Sequence, residues 1–190
     1  MLADWARYFP HCEPIGHHLR AAFPEQWVRF HSLPGSKRYP EDEAEYAEVL
    51  ARHNTILGEL ARPGSHVTLV TTGYSGSPEP SRSYPAVVAF DPDAVPWRTI
   101  AIHRVEEGFD EPSYWHLFAS AWDWRPGVFD PLVQLVAVDA VANVLVVAPD
   151  CRWVLHPYDG GMDVIAESSE ARRLLREKYS AWLSARADGL

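Results

Sequence analysis

Segment 40–62 has the clearest hydrophobic periodicity in the chain. Its apolar residues recur at spacings of three and four, which places them on one face of an α-helix. The helix is predicted to begin at Pro40, with acidic residues in its first turn as the helix dipole prefers. It is predicted to end at Pro63-Gly64, where both residues disfavour further helix. The apolar positions are Tyr46, Val49, Leu50, Ile56, Leu57 and Leu60.

Other segments are apolar at every second position or rich in β-branched residues, and these patterns predict strands. Near the C-terminus three short strands are separated only by tight turns, which is typical of an antiparallel meander. Further helices are predicted at 13–23, 131–141 and 169–185. The predicted strands are 26–31, 67–72, 99–105, 114–124, 144–148, 152–156 and 162–166.

The order of these elements predicts an α+β fold, because the strands occur in runs and do not alternate regularly with helices. We expect a mainly antiparallel sheet of about six strands packed with about four helices. The length of 190 residues suits a single globular domain spanning residues 1–190. Segment 73–96 is rich in Pro and Ser and is predicted to be a long ordered loop within that domain.

Charge narrows the range of partners. The formal net charge is −9, whereas a nucleic-acid-binding protein usually has a basic face, because phosphate neutralisation dominates its affinity. The sequence therefore predicts no nucleic acid partner and favours a basic protein as partner. No apolar run is long enough to span a membrane, and no leader pattern is present, so we expect a cytoplasmic protein without a membrane partner.

Common catalytic and cofactor motifs do not occur in this sequence. It contains no glycine-rich dinucleotide or phosphate loop, no H-E-x-x-H and no G-x-S-x-G. Cys12 and Cys151 lie far apart, which suits neither a disulfide scaffold nor a cysteine-rich zinc site. The sequence predicts no cofactor and no metal, and it leans towards a protein that is not an enzyme.

Basic side chains are concentrated in strand 26–31 and the loop that follows it. Residues two apart on a strand point to the same side, so Arg29 and His31 share a face. With the loop they could bind a phosphate or carboxylate. The alternative is a solvated loop whose cations pair with the acidic residues 41–43. The candidate ligand-binding residues are Arg29, His31, Ser36, Lys37, Arg38 and, from the C-terminal meander, Tyr158.

A second candidate site lies in that meander. His156 is close in sequence to Asp159 and Asp163, and a histidine with two carboxylates could bind a divalent metal or transfer protons. The alternative is turn chemistry, since an Asp-Gly-Gly turn at 159–161 is what a tight hairpin requires.

His53 is a further catalytic candidate. It lies on the apolar face of the long helix and is either a hydrogen-bonded core histidine or a group that points into a cavity beside His31 or His116.

Trp124 and Arg125 follow the strand predicted at 114–124. Adjacent Trp and Arg at a strand end are typical of an interface anchor or a ligand wall. We therefore expect these two residues to contact a partner, with core packing as the alternative for the strand itself.

Two segments resemble known sequences. Segment 156–166, HPYDGGMDVIA, resembles the C-terminal Tyr-Asp-x-x-Gly-x-Asp-Val-Ile-Ala hairpin of an uncharacterised bacterial domain-of-unknown-function family. Segments 27–34, WVRFHSLP, and 36–40, SKRYP, resemble a motif in uncharacterised bacterial proteins. The family hairpin often carries Asp-Arg before its glycine, whereas this chain has only Gly160 there. The resemblance implies a bacterial source and brings no known activity.

Three functions fit these observations. The leading hypothesis is a non-enzymatic protein-binding domain of immunity or regulatory type, because the chain is acidic and rich in aromatic residues and lacks catalytic motifs. The first alternative is a small hydrolase or transferase that uses the His/Asp residues of the meander, with or without a metal. The second is a sensor of a small anionic ligand that uses the basic cluster.

Overall fold

The structure, a computed structural model, describes residues 4–186 and 189. Seven antiparallel strands form one sheet in the order β1-β7-β6-β5-β2-β4-β3. The α+β fold with a mainly antiparallel sheet is confirmed, with one strand more than expected. The strands are β1 (Trp27–His31), β2 (His66–Ser75), β3 (Val95–Ile100), β4 (Tyr114–Asp123), β5 (Leu145–Val147), β6 (Val154–Tyr158) and β7 (Gly161–Ile165).

In the described part of the chain, two of the helices that accompany these strands begin with a side-chain cap. The side chain of Asp42 accepts a hydrogen bond from the backbone N–H of Glu45 at 2.9 Å, and Ser168 accepts one from Ala171 at 3.1 Å. Each cap satisfies an N–H that the first turn leaves without a partner. The helices are α1 (Trp5–Tyr8), α2 (Gly16–Ala22), α3 (Glu43–Leu60), α4 (Pro85–Phe90), α5 (Asp130–Ala137) and α6 (Ser169–Lys178), with 3₁₀ turns at Pro34–Ser36, Ile102–Arg104 and Ser180–Trp182.

Both faces of the sheet are covered. Consecutive strand residues point to opposite faces, and Val146 and Val147 accordingly belong to different hydrophobic clusters. Helices α3, α5 and α6 pack on one face, whereas α1, α2 and the segment around Ile102 pack on the other. All five residues of β7 are buried, as expected for a strand covered on both sides.

The outer edge of β1 is protected by two arginines. The Arg52 guanidinium donates a hydrogen bond to the His31 carbonyl at 2.9 Å, and Arg172 donates to the Trp27 carbonyl at 2.9 Å. Both bonds satisfy acceptors that a bare edge would offer to another chain. They also tie α3 and α6 to the strand that carries the predicted ligand-binding residues.

Segment 73–96 differs from the predicted loop. The strand β2 extends into it as far as Ser75, α4 lies within it, and β3 begins at Val95. The helix is short and starts with Pro85, whose fixed φ suits a first helical position. The prolines of this segment were interpreted as a loop signal, whereas one of them begins a helix. The predicted strand 99–105 is also corrected, since β3 ends at Ile100 and a 3₁₀ turn follows.

None of the helices in the described part of the chain combines the length and the apolar character needed to cross a membrane.

Gly73 of β2 is predicted to be irreplaceable, whereas Gly58 of α3 is not. A Cβ on Gly73 would lie less than 3.0 Å from the backbone carbonyl oxygen of Ser81, whereas one on Gly58 would make an ordinary contact with Trp124 at 3.4 Å. We expect Gly73→Ala to lower the free energy of unfolding by about 1–3 kcal/mol. Gly58→Ala should raise it by up to about 1 kcal/mol through helix propensity. Urea denaturation measures both, and equal effects would contradict the close approach.

Candidate functional site

A row of charged and polar side chains crosses three strands on the face covered by α2. Asp163 of β7 is opposite Arg29 of β1 and opposite His156 of β6, and cross-strand partners point to the same face. The Arg29 guanidinium donates from Nε to Asp163 Oδ1 at 2.8 Å and from Nη2 to Oδ2 at 3.0 Å. This bidentate pair is mostly buried, with Asp163 only 3% exposed. The sheet register thus brings together predicted residues from both ends of the chain.

Tyr158 and His31 form the neighbouring row, with Gly161 between them. The Arg29 guanidinium lies 4.8 Å from the centroid of the Tyr158 ring, a cation–π contact that covers the ring. Burial raises the pKa of the Tyr158 hydroxyl above its usual range. Burial, followed by the charge of Arg29, lowers the pKa of His31. Both side chains are therefore neutral near pH 7.

The cations of the predicted anion site are paired with carboxylates. Lys37 contacts Glu45 at 2.7 Å and Glu41 at 3.0 Å. Arg38 donates to Asp159 Oδ2 at 2.5 Å, and the Tyr39 hydroxyl donates to the same oxygen at 2.8 Å.

Ser36 is exposed in the 3₁₀ turn before them, with a positive φ of 59°. The arrangement resembles the solvated, ion-paired loop more than an open anion site. The carboxylates that pair with Lys37 and Arg38 include Glu45 and Asp159, where Asp42 and Glu43 were expected.

Gly16, the first residue of α2, lies directly on the imidazole of His156. A Cβ on Gly16 would fall less than 3.0 Å from Nδ1, Cγ and Cδ2 of the ring, so glycine alone allows this approach. The Nδ1 atom is buried and has no hydrogen-bond partner among the described residues. Burial lowers the pKa of His156 to about 4, although Asp163 opposes the shift. His156 is thus a neutral imidazole at physiological pH.

A small cleft opens beside His156. Its volume of about 160 Å³ is below the range of about 300–1,000 Å³ that is usual for small-molecule sites. It suits an ion or a few waters. Its lining includes His17, Trp115, Asn143, His156, Tyr158 and Asp159.

The His/Asp set of the meander is brought together only in part. His156 and Asp163 are cross-strand partners, and Asp159 lies at the turn of the same hairpin. Both carboxylates, however, accept hydrogen bonds from arginines. A carboxylate whose oxygens already accept hydrogen bonds from a guanidinium has fewer lone pairs free to take up a proton or to bind a metal ion. This geometry offers little support for proton transfer by the set.

His53 is a core residue. Its side chain is 2% exposed, and its Nδ1 lies 2.8 Å from the Val49 carbonyl, to which it donates. It lies on α3, which packs on the sheet face opposite α2, and is therefore separated from His156 by the sheet. Its Nε2 is buried and has no hydrogen-bond partner among the described residues. The interpretation as a hydrogen-bonded core histidine is the one that the contacts support.

Trp124 was expected to contact a partner, and this expectation is wrong. The residue is 1% exposed and belongs to the cluster beneath α3 and α5. It follows β4 directly, and its backbone N–H donates to the Ser65 carbonyl at 2.9 Å, which turns the side chain into the core. The neighbouring Arg125 is exposed.

One cluster of ligand-type side chains was missed by sequence reasoning. Oε1 of Glu106 lies 2.6 Å from Nε2 of His17 and 2.6 Å from Nε2 of His18. The adjacent histidines were a visible signal, but their carboxylate partner lies 89 positions after His17.

A second set of contacts that sequence reasoning missed lies near the start of β4. His116 is buried between the hydroxyls of Ser75, at 2.8 Å from Nε2, and Thr99, at 3.1 Å from Nδ1. A histidine between two hydroxyls ties β2, β3 and β4 together. The Ser75 hydroxyl also donates a hydrogen bond to the Ser77 carbonyl, so its proton is used within the local turn.

These features define an α+β domain with a two-sided antiparallel sheet, whose predicted polar site is largely compensated by internal ion pairs. The chain belongs to the family described as Domain of unknown function (DUF3885), whose model matches residues 15–187. The expected membership in an uncharacterised domain-of-unknown-function family is thereby confirmed. No curated protein and no solved structure matches the chain.

The burial of His53 predicts a specific loss of stability in mild acid. Burial lowers the pKa of His53 from 6.5 to about 4. The unfolded chain therefore binds more protons than the folded chain between these values, and stability falls as pH falls through that window. Between pH 7 and pH 5 the contribution of His53 should fall by about 2 kcal/mol. His53→Leu should remove that part of the pH dependence, measured as unfolding free energies at both pH values.

The matched control for this experiment is Ile56→Val, a mild truncation at another buried position of α3 that removes no titratable group. It should leave the pH dependence unchanged. A His53→Leu variant that loses as much stability as the wild type between pH 7 and pH 5 would overturn the assignment.

Proposed function

We propose that this protein is a non-enzymatic binding domain that accommodates a basic, amphipathic segment of a partner protein in a groove between α3 and α5. The observation that carries the proposal is the groove itself. It has a volume of about 610 Å³ and runs between α3 and the α5 region. Its lining is mainly apolar: Tyr46, Ala47 and Leu50 from α3, and Pro131, Leu135 and Val138 from the α5 region, with Glu43 and Gln134.

The shape of the groove favours a helical occupant. Two helices with a shallow apolar trough between them provide the surface into which an amphipathic helix places its apolar face. Val138, directly after α5, is 46% exposed. Tyr46 and Leu50 are only partly buried. An apolar patch of this kind, rimmed by polar residues, is typical of an interaction surface.

The charge around the groove favours a basic occupant. Glu43 lines its α3 side, and the exposed Glu41 and Asp42 precede it. Asp139 is exposed directly after Val138 on the α5 side. The whole chain carries a net charge of −9. Electrostatic complementarity of this kind accelerates association and excludes acidic partners.

Internal pairing supports a binding function over the two alternatives. An anion sensor needs cations that are free to bind an anion, and Lys37 and Arg38 are each held by carboxylates. A hydrolase based on the meander needs a free base, and Asp163 is held by Arg29.

Immunity-type neutralisation and regulation are two forms of the proposed function. They differ in whether the basic partner loses a toxic activity when it is bound or only changes its activity.

Site-specific photo-crosslinking in the native host tests the proposal. A benzophenone amino acid at Val138 should crosslink a basic protein, and the same probe at Val95, which is 53% exposed on the edge strand β3, should not. The crosslinked partner is identified by mass spectrometry and then purified. Equal capture from both positions, or a partner that is not basic, would count against the groove.

Charge reversal with the purified partner then measures the role of the acidic rim. Glu43→Lys should weaken binding by about tenfold at low salt, because a unit charge pair at 4 Å in water interacts by about 1 kcal/mol and reversal replaces attraction with repulsion. Glu107→Lys makes the same change of net charge at an exposed position outside the groove lining and serves as the control. Equal weakening by both variants would show that overall charge, and not the groove, determines binding.

A further inference from the structure

Three metal-ligand side chains converge where α2 meets the 3₁₀ turn Ile102–Arg104. The ligand atoms of His17, His18 and Glu106 all lie within 4.8 Å of one another. Adjacent residues on a helix point about 100° apart. Both imidazoles nevertheless turn Nε2 towards the same carboxylate oxygen, at 2.6 Å each. This convergence is a specific arrangement of three side chains from two segments.

Both segments are anchored in the body of the protein. The Gly16 backbone N–H, which precedes the histidines, donates to the buried Asn143 side chain at 2.9 Å. On the other side, the Glu106 backbone N–H donates to the Ile102 carbonyl at 2.9 Å. Ile102 itself is fully buried. The backbone positions of the ligands are therefore set by the fold, and only their side chains need to adjust when an ion binds.

The types of the three side chains suit a divalent cation, since two imidazoles and one carboxylate offer their ligand atoms to one point. A carboxylate with imidazoles is a ligand set that borderline divalent ions prefer.

We propose that His17, His18 and Glu106 form a zinc-binding site with three protein ligands. Zinc binds imidazole nitrogen and carboxylate oxygen at about 2.0–2.2 Å, and a tetrahedral site then separates the ligand atoms by about 3.3 Å. The two histidine-to-carboxylate separations of 2.6 Å need to widen by only a fraction of an ångström. Three protein ligands leave one position for water or for an anionic group.

The ligand cluster adjoins the small cleft beside His156, because His17 belongs both to the cluster and to the lining of the cleft. The site is separate from the α3/α5 groove and independent of the proposed partner.

Titration of the untagged, EDTA-treated chain with Zn²⁺ in a calorimeter tests the proposal, with Co²⁺ absorption as a report on coordination geometry. The wild type should bind one ion per chain, and Co²⁺ should give the visible absorption of a four-coordinate site. His18→Asn and Glu106→Gln should each weaken binding by at least about tenfold, since even outer-shell changes at metal sites cost about 10- to 100-fold. Zinc should also raise the melting temperature of the wild type and not that of the variants.

Two control variants separate this site from general metal binding by surface side chains. Glu107→Gln removes the exposed carboxylate next to Glu106. His66→Asn removes another imidazole–carboxylate pair, in which Nδ1 of His66 lies 2.5 Å from Asp123. Both controls should bind zinc as the wild type does. The proposal is wrong if the wild type binds no more tightly than Glu106→Gln, or if the controls weaken binding as much as the ligand variants.

Discussion

The position of α2 on the sheet depends on the hydrogen bonds of one buried side chain, that of Asn143. Its Oδ1 accepts from the Gly16 N–H at 2.9 Å, and its Nδ2 donates to the Pro14 carbonyl at 3.1 Å and to the Thr72 hydroxyl at 3.0 Å. The Thr72 hydroxyl donates in turn to the Asn143 carbonyl at 2.9 Å. Asn143 has a positive φ of 50°, a conformation that asparagine tolerates better than most residues. A buried network in which each group has its partner rigidifies its surroundings, and this one joins the start of α2 to β2.

The other features of the sheet face that α2 covers follow from the hydrogen bonds of Asn143. Because Gly16 is held against the sheet, the ring of His156 is covered and kept neutral. The two residues after Gly16 are then directed towards Glu106, which brings an ionised carboxylate and two imidazoles together at the rim of the cleft. One short helix thus packs its first residue on one histidine ring and carries two other histidines towards Glu106. Replacing Asn143 by an apolar residue would leave the N–H of Gly16 and the carbonyl of Pro14 without their side-chain partner, so the cost would fall on the attachment of α2 to the sheet.

Strand register explains why the basic cluster is compensated from within. Antiparallel pairing places Asp163 opposite Arg29, and the β6–β7 turn brings Asp159 to Arg38. These contacts could not be read from the sequence, because they join positions 134 and 121 residues apart. The pattern did predict that the strands exist, that the last three form an antiparallel meander and that Arg29 shares a face with His31. A mostly buried ion pair contributes little net stability after desolvation, and its main effect here is to hold the edge strand β1 in register with β7.

Local periodicity also cannot tell which apolar side chains the sheet will cover. The long helix was predicted with six apolar positions on one face, yet only Val49, Ile56 and Leu57 among them are fully buried. Tyr46 and Leu50 turn instead towards α5 and line the groove between the two helices. The apolar stripe of α3 is therefore wider than the sheet beneath it requires. The part of that stripe that lines the groove is the apolar surface that the proposed partner segment would cover.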